Sequence, residues 1–109
     1  MKVAVVGSRY LRVDDLGKYL PDSVTEIISG GAKGVDMGAR EYALAHGIKL
    51  TEYLPEYDRY GRGAPLRRNI TIIEQADLVL AFWDGRSHGT KFVIDQCKSR
   101  KIPLKVFCF

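Results

Sequence analysis

The stretch Val24-Thr25-Glu26-Ile27-Ile28-Ser29-Gly30-Gly31-Ala32-Lys33-Gly34-Val35-Asp36 carries an apolar run through three glycines and a lysine into a segment with helical periodicity. Val24–Ile28 reads as a strand. Gly34–His46 sets Val35, Ala39, Tyr42 and Ala43 on one helical face and ends at Gly47, a residue suited to the left-handed position that closes a helix. The glycine loop therefore stands between a strand and a helix N-terminus, where free N–H groups and the helix dipole favour an anion. It is neither a Walker A loop, whose Lys-Ser/Thr ending is missing, nor a GxGxxG fingerprint.

The same alternation extends in both directions. Strand-like runs occur at Val3–Val6, Lys49–Leu54, Leu78–Phe82 and Leu104–Phe109. Val3–Val6 and Leu78–Phe82 are continuously apolar, the pattern of strands buried on both faces of a parallel sheet. Pro65 opens a helix carrying Leu66, Ile70, Ile73 and Ala76, and Thr90–Lys101 repeats the pattern through Val93, Ile94 and Cys97 before Pro103. Val13–Leu20, interrupted by Gly17, predicts a short helix. Five strands alternating with four helices predict an α/β fold, an open parallel sheet with helices on both faces, as one domain over residues 1–109. In such sheets the ligand lies beyond the C-terminal strand ends, where strand order reverses. The loops that follow strands are thus the candidate site.

Composition narrows the class. With 46% hydrophobic and 28% charged residues, the chain is globular rather than disordered. No apolar run approaches the ~20 residues of a membrane span, and the apolar stretch ending at Gly7 is shorter than a secretory h-region. A cytoplasmic protein with no membrane partner is expected. Cys97 and Cys108 match no metal or redox spacing and are expected as reduced thiols, with no metal and no resident cofactor. Lysine and arginine number 17 against 13 acids, a net charge of +4 that suits an anionic ligand but is mild for a nucleic-acid binder.

The strand-end loops are chemically dense. Gly7-Ser8-Arg9 offers a sharp turn, a hydroxyl and a two-pronged phosphate donor; the plain alternative is a tight turn with one exposed arginine. Asp36, in the first turn of its helix, complements the dipole, orders the glycine loop or meets a ribose hydroxyl. The loop Pro55–Ala64 holds two tyrosines and two arginines and reads as a flap. Arg67-Arg68-Asn69 follow at a helix start, where positive charge opposes the macrodipole and calls for an anion or for a carboxylate such as Glu56 or Asp58. After the fourth apolar run come Trp83-Asp84-Gly85-Arg86-Ser87-His88-Gly89-Thr90, in which Ser87 and Thr90 suit a helix cap and His88 neighbours Asp84. Arg9, Arg12, Lys33, Arg59, Arg62, Arg67, Arg68, Arg86 and Lys91, nine of the 17 basic residues, map near this one edge.

Gly7-Ser8-Arg9, Ser29-Gly30-Gly31-Ala32-Lys33-Gly34-Val35-Asp36, Arg67-Arg68-Asn69 and Ser87-His88-Gly89-Thr90, in this order, resemble the SLOG superfamily, over nearly the whole chain. Its branches include the DNA-processing protein DprA and the LOG cytokinin-activating phosphoribohydrolases, and the likeness is greatest to small stand-alone bacterial and phage members of the YspA and YpsA types. The resemblance implies a Rossmann-like three-layer α/β/α fold with a five-stranded parallel sheet of order 3-2-1-4-5. It also implies a nucleotide-derived ligand over the glycine loops, and homo-oligomerisation. LOG hydrolases carry a PGGxGTxxE motif; the matching stretch Gly85–Val93 retains only Gly89-Thr90 and places Val93 where the glutamate stands. The glycine and Arg-Asn motifs match DprA better, although DprA carries further domains.

The main expectation is therefore binding, for sensing or sequestration, of a nucleotide-derived, phosphate-bearing small molecule such as a relative of ADP-ribose or NAD. The residues expected around it are Gly7, Ser8, Arg9, Gly30, Gly31, Lys33, Gly34, Asp36, Arg67, Arg68, Asn69, Asp84, Ser87, His88, Gly89 and Thr90, with no catalytic residue assigned. A second reading is a nucleotide N-glycoside hydrolase using Asp84 or Asp36 beside the ribose. A third is single-stranded nucleic-acid binding along the basic edge, with Tyr57, Tyr60 and Trp83 as stacking groups. The modest net charge places it behind the others, so nucleic acid is not the expected partner.

Overall fold

Successive strand residues project to opposite faces of a sheet, and in the first strand this divides the core in two. The computed structural model describes residues 1–109. In chain order its elements are β1 (Lys2–Gly7), a 3₁₀ turn (Leu16–Tyr19), β2 (Glu26–Ser29), α1 (Val35–His46) and β3 (Lys49–Glu52). There follow α2 (Tyr57–Tyr60), a second 3₁₀ turn (Gly61–Gly63), α3 (Ala64–Gln75), β4 (Leu78–Trp83), α4 (His88–Arg100) and β5 (Leu104–Cys108). Val3 and Val5 pack with Ile27, Ala39, Ala43, Leu80 and Phe82 beneath α1. Ala4 and Val6 pack on the other face with Ile28, Ile72, Ile73, Val93 and Ile94 beneath α3 and α4.

All pairings are parallel, and the strand order is β3-β2-β1-β4-β5. The fold is the expected Rossmann-like sheet with helices on both faces. Order reverses between β1 and β4, where Gly7, the last residue of β1, is in register with Phe82. No helix is long and apolar enough to cross a membrane.

The differences from the expected elements are local. Val13–Leu20 forms only a 3₁₀ turn at Leu16–Tyr19, anchored by the buried Leu16; Gly17 lies against the Tyr42 ring, where a side chain would clash. The flap after β3 is partly helical. The helix expected at Thr90 starts at His88, since Ser87 is its N-cap and accepts from the Thr90 amide. It ends at Arg100, with Lys101 turning the chain at φ 58 before Pro103. β2 starts later than Val24–Ile28 because pairing begins at Glu26, which meets Lys2 of β1 and Lys49 of β3.

Candidate functional site

Where strand order reverses, the loops after β1 and β4 separate, and the start of α3 closes the third side. The result is a cleft of about 750 Å³. Its floor is apolar, made of Val6, Ile72 and Val93, and its rim carries Ser8, Arg9, Asn69, Asp84, Arg86, Ser87 and Thr90. Gly7, Gly30, Asp36, Arg68 and Gly89 complete the expected residues that line it.

Inside the rim the glycine loop is held by side chains. Asp36, buried in the first turn of α1, accepts from the Ala32 amide at 3.2 Å. Arg68 reaches back from α3 and donates to the carbonyl oxygens of Gly30 at 2.7 Å and Tyr53 at 3.3 Å. Burial pushes the Asp36 carboxyl above its ordinary range despite the Ala32 amide and the facing Arg68 guanidinium, and burial also pushes Arg68 down. A side chain at Gly30 would collide with that guanidinium. Gly34 sits at φ 70 with the Ser8 and Arg9 carbonyls where a Cβ would be, and the Val35 amide donates to Ser8 at 3.3 Å. The glycines thus let two loops and an arginine meet closely. Of the loop's amides, those of Ala32 and Val35 are engaged within the protein.

The loop after β4 is organised by Asp84. Its carboxylate accepts from the Arg86 and Ser87 amides, each at 2.8 Å, and from Ser8 Oγ at 3.0 Å. Those two amides, then the Ser8 hydroxyl, hold the Asp84 carboxyl below its ordinary range. Asp84 therefore joins the β1 and β4 loops across the reversal point. It does not pair with His88, which is exposed at the start of α4. Asp36 and Asp84 are the two carboxylates on the cleft lining, and both already accept hydrogen bonds from the protein.

Five expected residues fall outside this cleft: Gly31, Lys33, Gly34, Arg67 and His88. Gly31 faces Leu54, and Lys33 points to solvent. The carboxylate that answers Arg68 is Asp36 of α1, rather than Glu56 or Asp58; Glu56 faces Arg59 at 3.7 Å. Trp83 is half-buried, lies outside the lining of this cleft and donates its indole N–H to the Ser87 carbonyl at 3.1 Å. Tyr10, on the cleft lining and 94% exposed, was not singled out by sequence. Its signal was available: an aromatic residue directly after Gly7-Ser8-Arg9. Arg9, Lys33, Arg62, Arg67 and Arg86 stand in no ion pair, whereas Arg12, Arg59 and Lys91 each face a carboxylate.

In sequence, the chain is 32% identical over 84 residues to the gene 61 protein of Mycobacterium phage D29, covering 72% of this chain and 67% of that protein. The chain belongs to the gene 61 protein family. No family model matches. In structure, it superposes on DNA processing protein A from Helicobacter pylori with a TM-score of 0.70 over 97% of its length, at 24% identity. The chain spans 64% of that structure, which was described for a single-stranded DNA binding mode. At 24% identity this likeness shows the fold alone.

This neighbour overturns two expectations, that the ligand is a nucleotide-derived small molecule and that nucleic acid is set aside as a partner. The physical error lay in weighing the net charge of +4. A nucleic-acid strand meets local charge, and the arginines without carboxylate partners are not spread evenly over the chain.

Proposed function

We propose that the C-terminal edge of the sheet binds single-stranded DNA, with phosphates on Arg9 and Arg86 and bases on Tyr10 and the apolar floor. The observation that carries this reading is the juxtaposition, on one rim, of two arginines without carboxylate partners and a tyrosine that is 94% exposed. An unburied aromatic ring costs nothing to desolvate until a base covers it, and stacking on such a ring is tolerant of sequence. The single-stranded DNA binding mode of the structural neighbour supports the same assignment. Likeness to a phage protein also supports placing the chain with the small stand-alone SLOG members of the YspA and YpsA types.

The test is fluorescence anisotropy with a labelled oligothymidylate across a salt series. Binding should weaken steeply with salt, with a log–log slope of about −0.7 per phosphate contact, and Arg9→Ala with Arg86→Ala should abolish most of it. Negligible binding at low salt would end the proposal.

A further inference from the structure

We infer that a bound strand leaves the main cleft across the first turn of α3 and enters a second subsite built on Arg67 and Tyr60, approached past the exposed Arg62 of the 3₁₀ turn that leads into the helix. The inference rests on the proposed binding of single-stranded DNA and extends its footprint.

Successive helix residues point about 100° apart, so the N-terminal half of α3 has two working sides. Leu66 and Asn69 line the main cleft, whereas Arg67 and Thr71 line a second one of about 300 Å³, and Arg68 borders both. The helix is therefore a wall between two adjoining depressions, and its first turn is the crest a strand would cross.

The second depression has the chemistry of a phosphate subsite. The guanidinium carbons of Arg59 and Arg67 each lie 5.1 Å from the centroid of the Tyr60 ring. Such stacking holds a guanidinium in place while leaving its N–H edge free to donate. Arg59 faces Glu56 at 3.7 Å, but Arg67 and, one turn before it, Arg62 face no carboxylate. The carboxylates on this wall are Glu56 and Glu74, and Glu74 is answered by Arg100 at 3.5 Å. The first turn of α3 holds no acidic residue and no side-chain cap. Arg62 and Arg67, which face no carboxylate, thus stand near the positive end of a helix, an arrangement that a phosphate relieves.

The experiment compares oligothymidylates of about 3 and about 12 nucleotides, lengths on either side of the smaller site sizes of single-strand binders. Wild type is set against the double variant Arg62→Ala/Arg67→Ala; both residues are exposed, and an unchanged melting temperature verifies the fold. The double variant should bind the longer oligonucleotide about tenfold more weakly and keep wild-type affinity for the shorter one. Its salt slope on the longer oligonucleotide should be shallower by about 1.4, or 0.7 for each lost phosphate contact. Equal affinity of the two proteins for the longer oligonucleotide overturns the second subsite, and so does an equal loss at both lengths. Absence of any binding by wild type overturns the single-stranded DNA reading itself, and the subsite with it.

Discussion

The guanidinium of Arg68 donates to the carbonyl oxygen of Gly30 at 2.7 Å, so that α3 holds the loop after β2. Behind it lies Asp36, and the pair ties three separate segments together at the base of the cleft.

Removing Arg68 leaves the buried Asp36 carboxyl without its cation. Arg68→Ala should lower stability by about 1.5–3 kcal/mol, the scale of a hydrogen bond from a charged donor, here to the Gly30 and Tyr53 carbonyls. Asp36→Asn/Arg68→Met should recover most of that loss. Urea unfolding midpoints measure both, and an unaltered midpoint for the single variant would rule out the anchoring role.

The two cleft carboxylates should give stability opposite dependences on pH. Asp84 is held low in the folded state, so its contribution is present above the ordinary aspartate range near 3.9 and is lost as pH falls through the lower folded value. Asp36 is raised, so the folded protein keeps that proton longer than the unfolded chain does. Stability should decline as pH climbs from the ordinary range to the raised value. In thermal melts across pH, Asp84→Asn should flatten the acid limb and Asp36→Asn should remove the decline above it. Identical profiles for the two variants would contradict this assignment.

Two glycines only four residues apart should respond oppositely to alanine. At Gly34, φ is 70 and the Ser8 and Arg9 carbonyls occupy the side-chain position, so Gly34→Ala should cost at least about 2 kcal/mol. Gly38 lies within α1 with open space around it, and Gly38→Ala should stabilise by about 0.5–1 kcal/mol. Calorimetric melting temperatures decide both signs.

Tyr10 makes the functional prediction. Tyr10→Ala should weaken oligothymidylate binding about tenfold, the scale of one lost base stack. The melting temperature should not move, because the side chain is 94% exposed. Tyr10→Phe should bind like wild type, since stacking needs the ring and not the hydroxyl. Full affinity in the alanine variant would remove Tyr10 from the site.

Much of the site was legible because glycine, arginine and cap residues cluster directly after strand-like runs. Eleven of the expected residues do line one cleft: Gly7, Ser8, Arg9, Gly30, Asp36, Arg68, Asn69, Asp84, Ser87, Gly89 and Thr90. Their roles were less legible. Arg68 reads as a ligand clamp in sequence, and in the structure it also anchors the Gly30 carbonyl; Trp83 reads as a stacking platform, and its indole N–H is donated to Ser87. A side chain's direction depends on neighbours that a local pattern does not contain.

By itself, the sequence determined the alternation of strands and helices and the placing of basic loops at strand ends. Hydrophobic period and turn chemistry are local properties of the backbone, readable within a dozen residues. Only the tertiary structure decided that Arg68 turns inward to Gly30, that Asp84 bridges to Ser8, and that Tyr10 is left in solvent. Those outcomes depend on which remote segments the parallel sheet brings together. They separate the arginines engaged within the protein from those that face no carboxylate.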